Sequence, residues 1–150
     1  EIDLVKILND AIDGFKYLIK NQKQRIDFQY FKDKIMIPSE EKSLQKIVAN
    51  IISNAVNYGK NKGKISIKIE MAGASKILFS VSDNGIGIPD EEKKNIFKKF
   101  FRASNAKSHY QKGTGLGLFI VKELTKKIGG KIWFESKEGA GTTFYVELPI

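Results

Sequence analysis

Three groups of residues have types and spacings that can perform chemistry, and the first is a row of asparagines. Asn50, Asn54 and Asn57 are spaced i, i+4 and i+7, so they share one stripe of a helix. Asparagine costs roughly 0.6 kcal/mol relative to alanine inside a helix, and three on one stripe suggest a use. Neutral amide oxygens are suitable magnesium ligands beside phosphate. The alternative is a solvated polar face.

The second group runs from Asp83 to Pro89, with the sequence DNGIGIP, and ends an apolar run. A carboxylate at a strand end can accept a hydrogen bond from an exocyclic amine. Glycines there let the backbone approach a flat ring closely. The alternative is a plain strand-ending turn, because Asp, Asn, Gly and Pro are the common turn residues.

The third group, GTGLGL at residues 113–118, opens a predicted helix that ends near Ile128. The amides at a helix start bind phosphate, and glycines leave room for its approach. Neither common phosphate signature fits, because a Rossmann fingerprint needs glycine where Leu118 stands and no Gly-Lys pair is followed by Ser or Thr. The alternative is a flexible loop that leads into a helix.

The elements that position these groups follow from hydrophobic spacing. Apolar residues at helical spacing predict a helix over residues 3–20. Ser39 is the expected N-cap of a second helix that ends near Tyr58. A third helix starts at residues 89–92 and has an apolar side of phenylalanines up to Phe101.

The strands are predicted from alternating apolar residues at 26–30, 35–37, 65–69, 77–81, 131–136 and 142–148. Residues 103–114 are polar and contain glycine, which predicts a mobile loop. Helices and hairpin strands interleave without the strict alternation of a parallel sheet. We therefore expect an α+β fold, a two-layer α/β sandwich in which a mixed sheet of about five strands is covered on one face by three helices.

Composition excludes several classes of protein. With 41% hydrophobic and 29% charged residues, the 150-residue chain is typical of one folded domain rather than a disordered tail. The absence of cysteine excludes disulfides and thiolate metal sites. No apolar run approaches the roughly 20 residues that cross a bilayer, and the first residues have no signal-peptide layout. We expect a single soluble, intracellular domain over residues 1–150.

The net charge of +9 is concentrated in one segment. Eight basic residues and no acid lie between Lys93 and Lys122. Such a segment suggests a polyanionic partner. It fits a nucleic acid, a pocket for a multiply charged phosphate, or a lysine-coated surface that keeps the chain soluble.

Together the three groups are far more specific than any one of them, and the sequence resembles a known family. NIISNAVNY at 50–58 resembles the asparagine box of the ATP-binding catalytic domain of sensor histidine kinases, and residues 83–87 and 113–118 resemble its two glycine boxes. IFKKFFR at 96–102 is similar to the phenylalanine box that marks the kinases, and GAGTTF at 139–144 to the closing glycine turn. The resemblance covers essentially the whole chain. It implies the Bergerat-type ATP-binding fold of the superfamily shared with DNA gyrase, MutL and heat-shock chaperones.

The resemblance implies ATP and Mg²⁺ as cofactors and gives each site residue a role. Asp83 would hold the adenine amine with support from Thr142, and Asn54 would ligate magnesium. Asn50 and Arg102 would act beside the phosphates as the catalytic residues. Residues 103–114 would form the ATP lid. The remaining implied ATP-binding residues contact the base or ribose, or belong to the glycine turns and the lid: Asn57, Tyr58, Gly85, Gly87, Ile88, Lys107, Lys112, Gly113, Thr114, Gly115, Leu116, Gly117 and Leu118.

Two positions depart from the family pattern. Kinases of this family commonly carry lysine or arginine where Asn57 stands, so one cationic phosphate contact is missing, and Arg102, Lys107 or Lys112 would replace it. Lys112 stands where a glycine often precedes the second glycine box, which would stiffen the lid.

The resemblance also implies the function and the partners. The phosphate acceptor in these kinases is a histidine on a separate dimerising hairpin, whereas His109 precedes Tyr110 in a polar loop and is interpreted as an ordinary lid residue. The chain would bind Mg-ATP and donate the γ-phosphate to that separate domain, as the kinase part of a two-component sensor. It would not autophosphorylate alone, and a response regulator would act downstream.

The dimerisation and phosphoacceptor domain is expected to be absent from this chain. The chain would be a cytoplasmic domain of a protein anchored in the cell membrane elsewhere, with no nucleic-acid partner. The alternative functions are a basic nucleic-acid-binding module and an anti-sigma or serine kinase switch protein of the same superfamily.

Overall fold

The computed structural model describes residues 1–150. In chain order its elements are β1 (Ile2–Asp3), α1 (Leu4–Gly14), α2 (Lys16–Asn21), β2 (Arg25–Tyr30), β3 (Met36–Ile37), α3 (Glu41–Tyr58), β4 (Lys64–Met71), β5 (Lys76–Asp83), a 3₁₀ turn (Asp90–Asn95), α4 (Ser104–His109), α5 (Gly117–Lys127), β6 (Lys131–Lys137) and β7 (Gly141–Pro149). None of the helices combines the length and apolar character needed to cross a bilayer.

The main sheet has five strands in the order β2-β4-β5-β7-β6. Only the pair β2–β4 is parallel, and the other neighbours are antiparallel. The predicted mixed five-stranded sheet is therefore confirmed. β1 and β3 form a separate two-stranded sheet. Of these two strands, the sequence predicted only β3, at residues 35–37.

One face of the main sheet is covered by helices, as predicted. Alternate residues of β4 and β5 are buried, including Ile65, Ile67 and Phe79. α3 lies over the sheet with its fully buried Ile51 and Ile52, and α1 and α5 pack on either side of it. A single hydrophobic cluster joins residues from α1 to β7. The α+β sandwich follows from this one-sided burial.

The predicted helix over residues 3–20 is wrong in one respect, because the structure breaks it at Phe15. Asp3 caps α1, its Oδ1 accepting from the Val5 amide at 3.1 Å. Phe15 leaves the helical region with φ −104° and ψ 6°, directly after Gly14, a poor helix former. A second short helix, α2, then starts at Lys16.

The predicted N-cap Ser39 is also wrong. α3 starts at Glu41, and its N-cap residue Glu40 makes no side-chain hydrogen bond to the helix backbone. The hydroxyl of Ser39 is buried without a hydrogen-bond partner. The Glu40 carboxylate instead accepts from the Ser43 hydroxyl and the Lys127 ammonium, both at 2.6 Å, and these bonds hold its pKa below the usual range.

The predicted third helix shrinks to the 3₁₀ turn Asp90–Asn95. Phe100 has φ +66°, which no helix allows, and its amide donates to Gly115 O at 2.9 Å. Phe100 is 67% exposed, whereas Phe97 and Phe101 are half-buried against the core. Phe100 therefore does not belong to the buried apolar side that the sequence predicts for this segment.

The predicted loop 103–114 contains helix α4. Its first amide, Ser104 N, donates to both carboxylate oxygens of Glu92, at 3.2 and 3.1 Å. The carboxylate supplies the N-terminal partner that polar composition alone does not show. The loop prediction is therefore wrong for Ser104–His109.

Candidate functional site

A cavity of about 310 Å³ opens between α3, the end of β5, the 103–114 segment and the start of α5. The structure places most of the predicted site residues in its wall: Asn50, Asn54, Asn57, Tyr58, Asp83, Gly87, Ile88, Arg102, Lys112, Gly113, Thr114, Gly115, Gly117, Leu118 and Thr142. Gly85, Lys107 and Leu116 lie outside that wall. A volume of this order suits a small ligand.

The asparagine row of α3 forms one wall of the cavity. The amide nitrogen of Asn50 donates to Lys46 O at 2.8 Å, and that of Asn57 donates to the Ser53 hydroxyl at 3.0 Å. Asn54 lies between them in the wall, and its amide has no hydrogen-bond partner within the protein. Its oxygen is therefore free to bind a ligand.

Asp83 ends β5 and faces the cavity opposite Thr142 in the ladder with β7. The Gly85 amide donates to its Oδ1 at 2.8 Å. Burial raises the pKa of Asp83 from 3.8 to about 6, although the amides of Gly85 and Thr142 favour the charged form. Above pH 6 the side chain is thus an ionised group that only accepts hydrogen bonds.

The glycines around Asp83 are required by backbone contacts. A Cβ on Gly85 would lie 1.9 Å from Tyr58 O, and one on Gly141 would lie 2.0 Å from Asp83 O. A Cβ on Gly87, which has φ +66°, would lie 2.0 Å from Lys137 O. Glycine at position 85 is therefore required by its close approach to the end of α3.

Ser136 is a residue of the site that the sequence reasoning missed. Its hydroxyl accepts from the Ile88 amide at 2.8 Å, lies 3.0 Å from Gly141 O, and lies 2.8 Å from the Thr142 hydroxyl. It thereby ties the β6–β7 hairpin to the turn after Asp83. The two strands predicted at 131–136 and 142–148, paired as a hairpin, would have placed it opposite Thr142.

The second glycine group leads into α5. Leu116 precedes the helix without a side-chain cap, so the first amides have no side-chain partner and suit an anion. A Cβ on Gly117 would lie 2.9 Å from the Asn50 Oδ1, and one on Gly115 would lie 2.6 Å from the Phe100 carbonyl carbon. Glycine at these positions therefore allows Asn50 and the Phe100 backbone to pack closely, and it leaves the start of α5 open to a ligand.

Arg102 binds the segment that follows it. Its guanidinium donates to the Tyr58 hydroxyl and to Ala106 O, each at 3.2 Å, and also to Tyr110 O. It thus closes the carboxyl end of α4 over the cavity. Asn105, another residue missed from the sequence, donates to Gly87 O at 2.9 Å and ties α4 to the turn after β5.

The basic segment divides between several environments. Arg102 and Lys112 are its members in the cavity wall. Lys93 pairs with Asp90 at 2.7 Å, and the ammonium groups of Lys99 and Lys122 lie over phenylalanine rings. The cationic wall of the cavity is therefore made by two residues of the eight.

The donor set of the cavity fits a magnesium nucleotide. The chain has no cluster of three His, Cys, Asp or Glu side chains that can hold a metal, so a divalent ion needs ligand oxygens besides the amide of Asn54. A carboxylate, two cations and an uncapped helix start complete the wall. These groups match an amine, phosphates and a phosphate-bound ion.

This arrangement agrees with the family comparison. Residues 39–150 match the model described as Histidine kinase-, DNA gyrase B-, and HSP90-like ATPase. The chain belongs to this ATPase family. The ATPase domain is 34% identical over 151 residues to the sensor histidine kinase WalK of Bacillus subtilis strain 168. The aligned region covers 99% of this chain and 24% of WalK.

Solved structures place the ATPase domain among histidine kinases. The nucleotide-free catalytic domain of histidine kinase ThkA matches it with a TM-score of 0.85 and 29% identity, over 99% of this chain and 93% of that one. A second ThkA structure, in complex with response regulator protein TrrA, matches with a TM-score of 0.79 and 25% identity, over 99% and 40%. The chain is thus the catalytic ATP-binding domain of a sensor histidine kinase, and it spans about a quarter of the length of WalK.

Proposed function

We propose that this domain binds Mg-ATP and donates the γ-phosphate to a histidine on a separate dimerisation domain. The observation that carries the proposal is the joint placement of Asp83, the unpartnered Asn54 and the cationic pair Arg102 and Lys112 around one cavity. Phosphoryl transfer depends mainly on positioning and charge stabilisation, and this wall offers groups for both.

The base is proposed to bind at Asp83. Its carboxylate accepts from the exocyclic amine, and Thr142 supports that end of the cavity from the facing strand. Tyr58 and Ile88 flank the base or ribose in the same wall. A buried acceptor matched to a donor discriminates strongly, because a ligand without the donor leaves it unpaired.

The phosphates are proposed to bind at the start of α5, between Asn50 and the 113–118 turn. Arg102 and Lys112 replace the cation that Asn57 lacks, since Lys107 lies outside the cavity wall. Arg102 contacts the terminal phosphates by leaving at least one of its lid carbonyls. Residues 103–114 act as the lid, and Lys112 stiffens it.

Magnesium, when bound, neutralises developing charge on the phosphates. Asn54 would hold it through the amide oxygen that has no partner in the protein. Asn50 positions the same group of oxygens from one turn earlier on α3. The chain's own contribution to the transfer is to orient the phosphates and to exclude water under the lid.

The partners are proposed from the same reasoning. His109, the chain's single histidine, lies exposed at the end of α4 and is interpreted as an ordinary lid residue. We propose that the phosphoacceptor lies on another domain, as the family resemblance implies. The domain then works in a two-component sensor with a response regulator downstream, in the cytoplasmic part of a protein anchored in the cell membrane. We expect no nucleic-acid partner.

Calorimetric titration with ATP, with and without magnesium, tests the proposal. We expect Asp83→Asn to weaken ATP binding at least tenfold, or about 1.4 kcal/mol. Asn54→Ala should weaken binding of Mg-ATP more than binding of metal-free ATP, and Asn9→Ala, an exposed helical asparagine of α1, should change neither. Unchanged affinity in Asp83→Asn would contradict the base site. Equal losses with and without metal in Asn54→Ala would contradict ligation.

A further inference from the structure

Ser136 lies outside the cavity wall but contacts a residue within it. It pairs with Thr142 across the β6–β7 hairpin, and Thr142 is buried at the Asp83 end of the cavity. The two hydroxyl oxygens lie 2.8 Å apart, and either one can be the donor in that contact. The direction of this bond decides what Thr142 offers to a ligand.

The other hydrogen bonds of Ser136 indicate the direction of its bond with Thr142. A serine hydroxyl has one hydrogen and two lone pairs. The Ile88 amide occupies one lone pair of Ser136, and Gly141 O, at 3.0 Å, takes the hydrogen. The second lone pair then accepts from Thr142. In the opposite arrangement Ser136 donates to Thr142, the bond to Gly141 O is lost, and the Thr142 hydrogen has no protein acceptor, because Ser136 is the only partner of that hydroxyl.

The favoured arrangement makes the Asp83 end of the cavity a pair of acceptors. The hydrogen of Thr142 is engaged by Ser136, so its oxygen presents only lone pairs to the cavity. The neighbouring Asp83 also only accepts once it is ionised. Two acceptors suit an amino group, which carries two hydrogens, and oppose a carbonyl oxygen.

We propose that Ser136 holds the Thr142 hydroxyl as an acceptor and thereby makes the cavity selective for a 6-amino purine over a 6-oxo purine. The inference rests on the proposed function, in which the base binds at Asp83. Ser136 is a positioning residue that acts through Thr142. Without its hydroxyl, Thr142 can rotate and donate to a 6-oxo group.

The test compares ATP with inosine triphosphate, both with magnesium and well above pH 6, in titrations of the wild type and Ser136→Ala. In Ser136→Ala we expect inosine triphosphate to bind more tightly than it binds the wild type. The preference for ATP should fall at least tenfold. Ser136→Thr, which keeps a hydroxyl at this position, should retain the preference. A purely structural role would weaken both nucleotides in parallel, and that result would overturn the inference.

Thr142→Val provides an independent measurement that remains available if Ser136→Ala does not fold. It removes the hydroxyl oxygen that accepts from the 6-amino group and opposes a 6-oxo group, so the preference for ATP over inosine triphosphate should also fall. An unchanged preference in either folded variant overturns the inference while leaving ATP binding intact. Failure of the wild type to bind ATP would instead overturn the proposed function.

Discussion

At the scale of single residues, ionisation of Asp83 has opposite effects on the stability of the domain and on the proposed recognition of the base. Burial of its carboxyl raises the pKa to about 6, so the folded chain holds this proton more tightly than the unfolded chain does. The stability that the group contributes is fully present below pH 3.8 and is lost as the pH rises through 6. At neutral pH the ionised side chain therefore destabilises the domain, whereas the proposed function requires it as the acceptor for the base.

Asp83→Asn should separate these effects. We expect the substitution to raise the free energy of unfolding at neutral pH by up to about 3 kcal/mol, the linkage value of the pKa shift. The gain should shrink towards zero as the pH falls to about 4. Denaturant unfolding of both proteins across this pH range measures the difference, in which the other carboxyls cancel. A gain that does not change with pH would contradict the raised pKa.

At the scale of elements, the turn after β5 is positioned by close backbone contacts with its neighbours. Gly85 lies against the end of α3, and Gly141, at the start of β7, lies against the carbonyl of Asp83. Sequence motifs identify these glycines, but the reason for each is a contact between segments distant along the chain. The same holds for Arg102, whose contacts with Ala106 and Tyr110 depend on helix α4, which polar composition did not predict.

Gly141→Ala and Gly73→Ala form a matched pair, since both glycines have positive φ, +121° and +85°. A Cβ on Gly73 meets nothing within 4 Å, whereas one on Gly141 lies 2.0 Å from Asp83 O. We expect Gly73→Ala to cost about 1 kcal/mol, the left-handed penalty alone, and Gly141→Ala to cost several times as much. Thermal or denaturant unfolding measures both. Similar losses would mean that the β7 start can move away from Asp83.

At the scale of the whole molecule, a single core joins the amino-terminal helices to the rest of the sheet. The family model begins at residue 39, yet Leu4, Leu8 and Ile37 belong to the same hydrophobic cluster as Val146 in β7. The asparagine helix α3 lies between α1 and α5. We therefore predict that residues 1–150 unfold as one cooperative unit.

Leu8→Ala tests this cooperativity, because Leu8 is fully buried in α1. The cavity left behind should cost about 3 kcal/mol. Trp133, the only tryptophan, lies in the edge strand β6, so its fluorescence should report the same lowered midpoint as circular dichroism. Leu18→Ala, at a residue 39% exposed, is the control with a cost below about 1 kcal/mol. If the midpoint of the Trp133 fluorescence transition does not change in Leu8→Ala, the chain contains two units that unfold independently.

The sequence by itself determined the strand periods, the helix of asparagines and the residue types of the candidate site, because each depends on spacing within a short segment. It also indicated the mixed sheet, through the order of helices and strands along the chain. Only the tertiary structure decided the break at Phe15, the capping of α4 by Glu92, the contacts of Arg102 with the end of α4 and the place of Ser136 beside Thr142. Each of these depends on which partner reaches a polar group across the fold or on how the backbone turns at one residue. Spacing along the chain does not encode those distances.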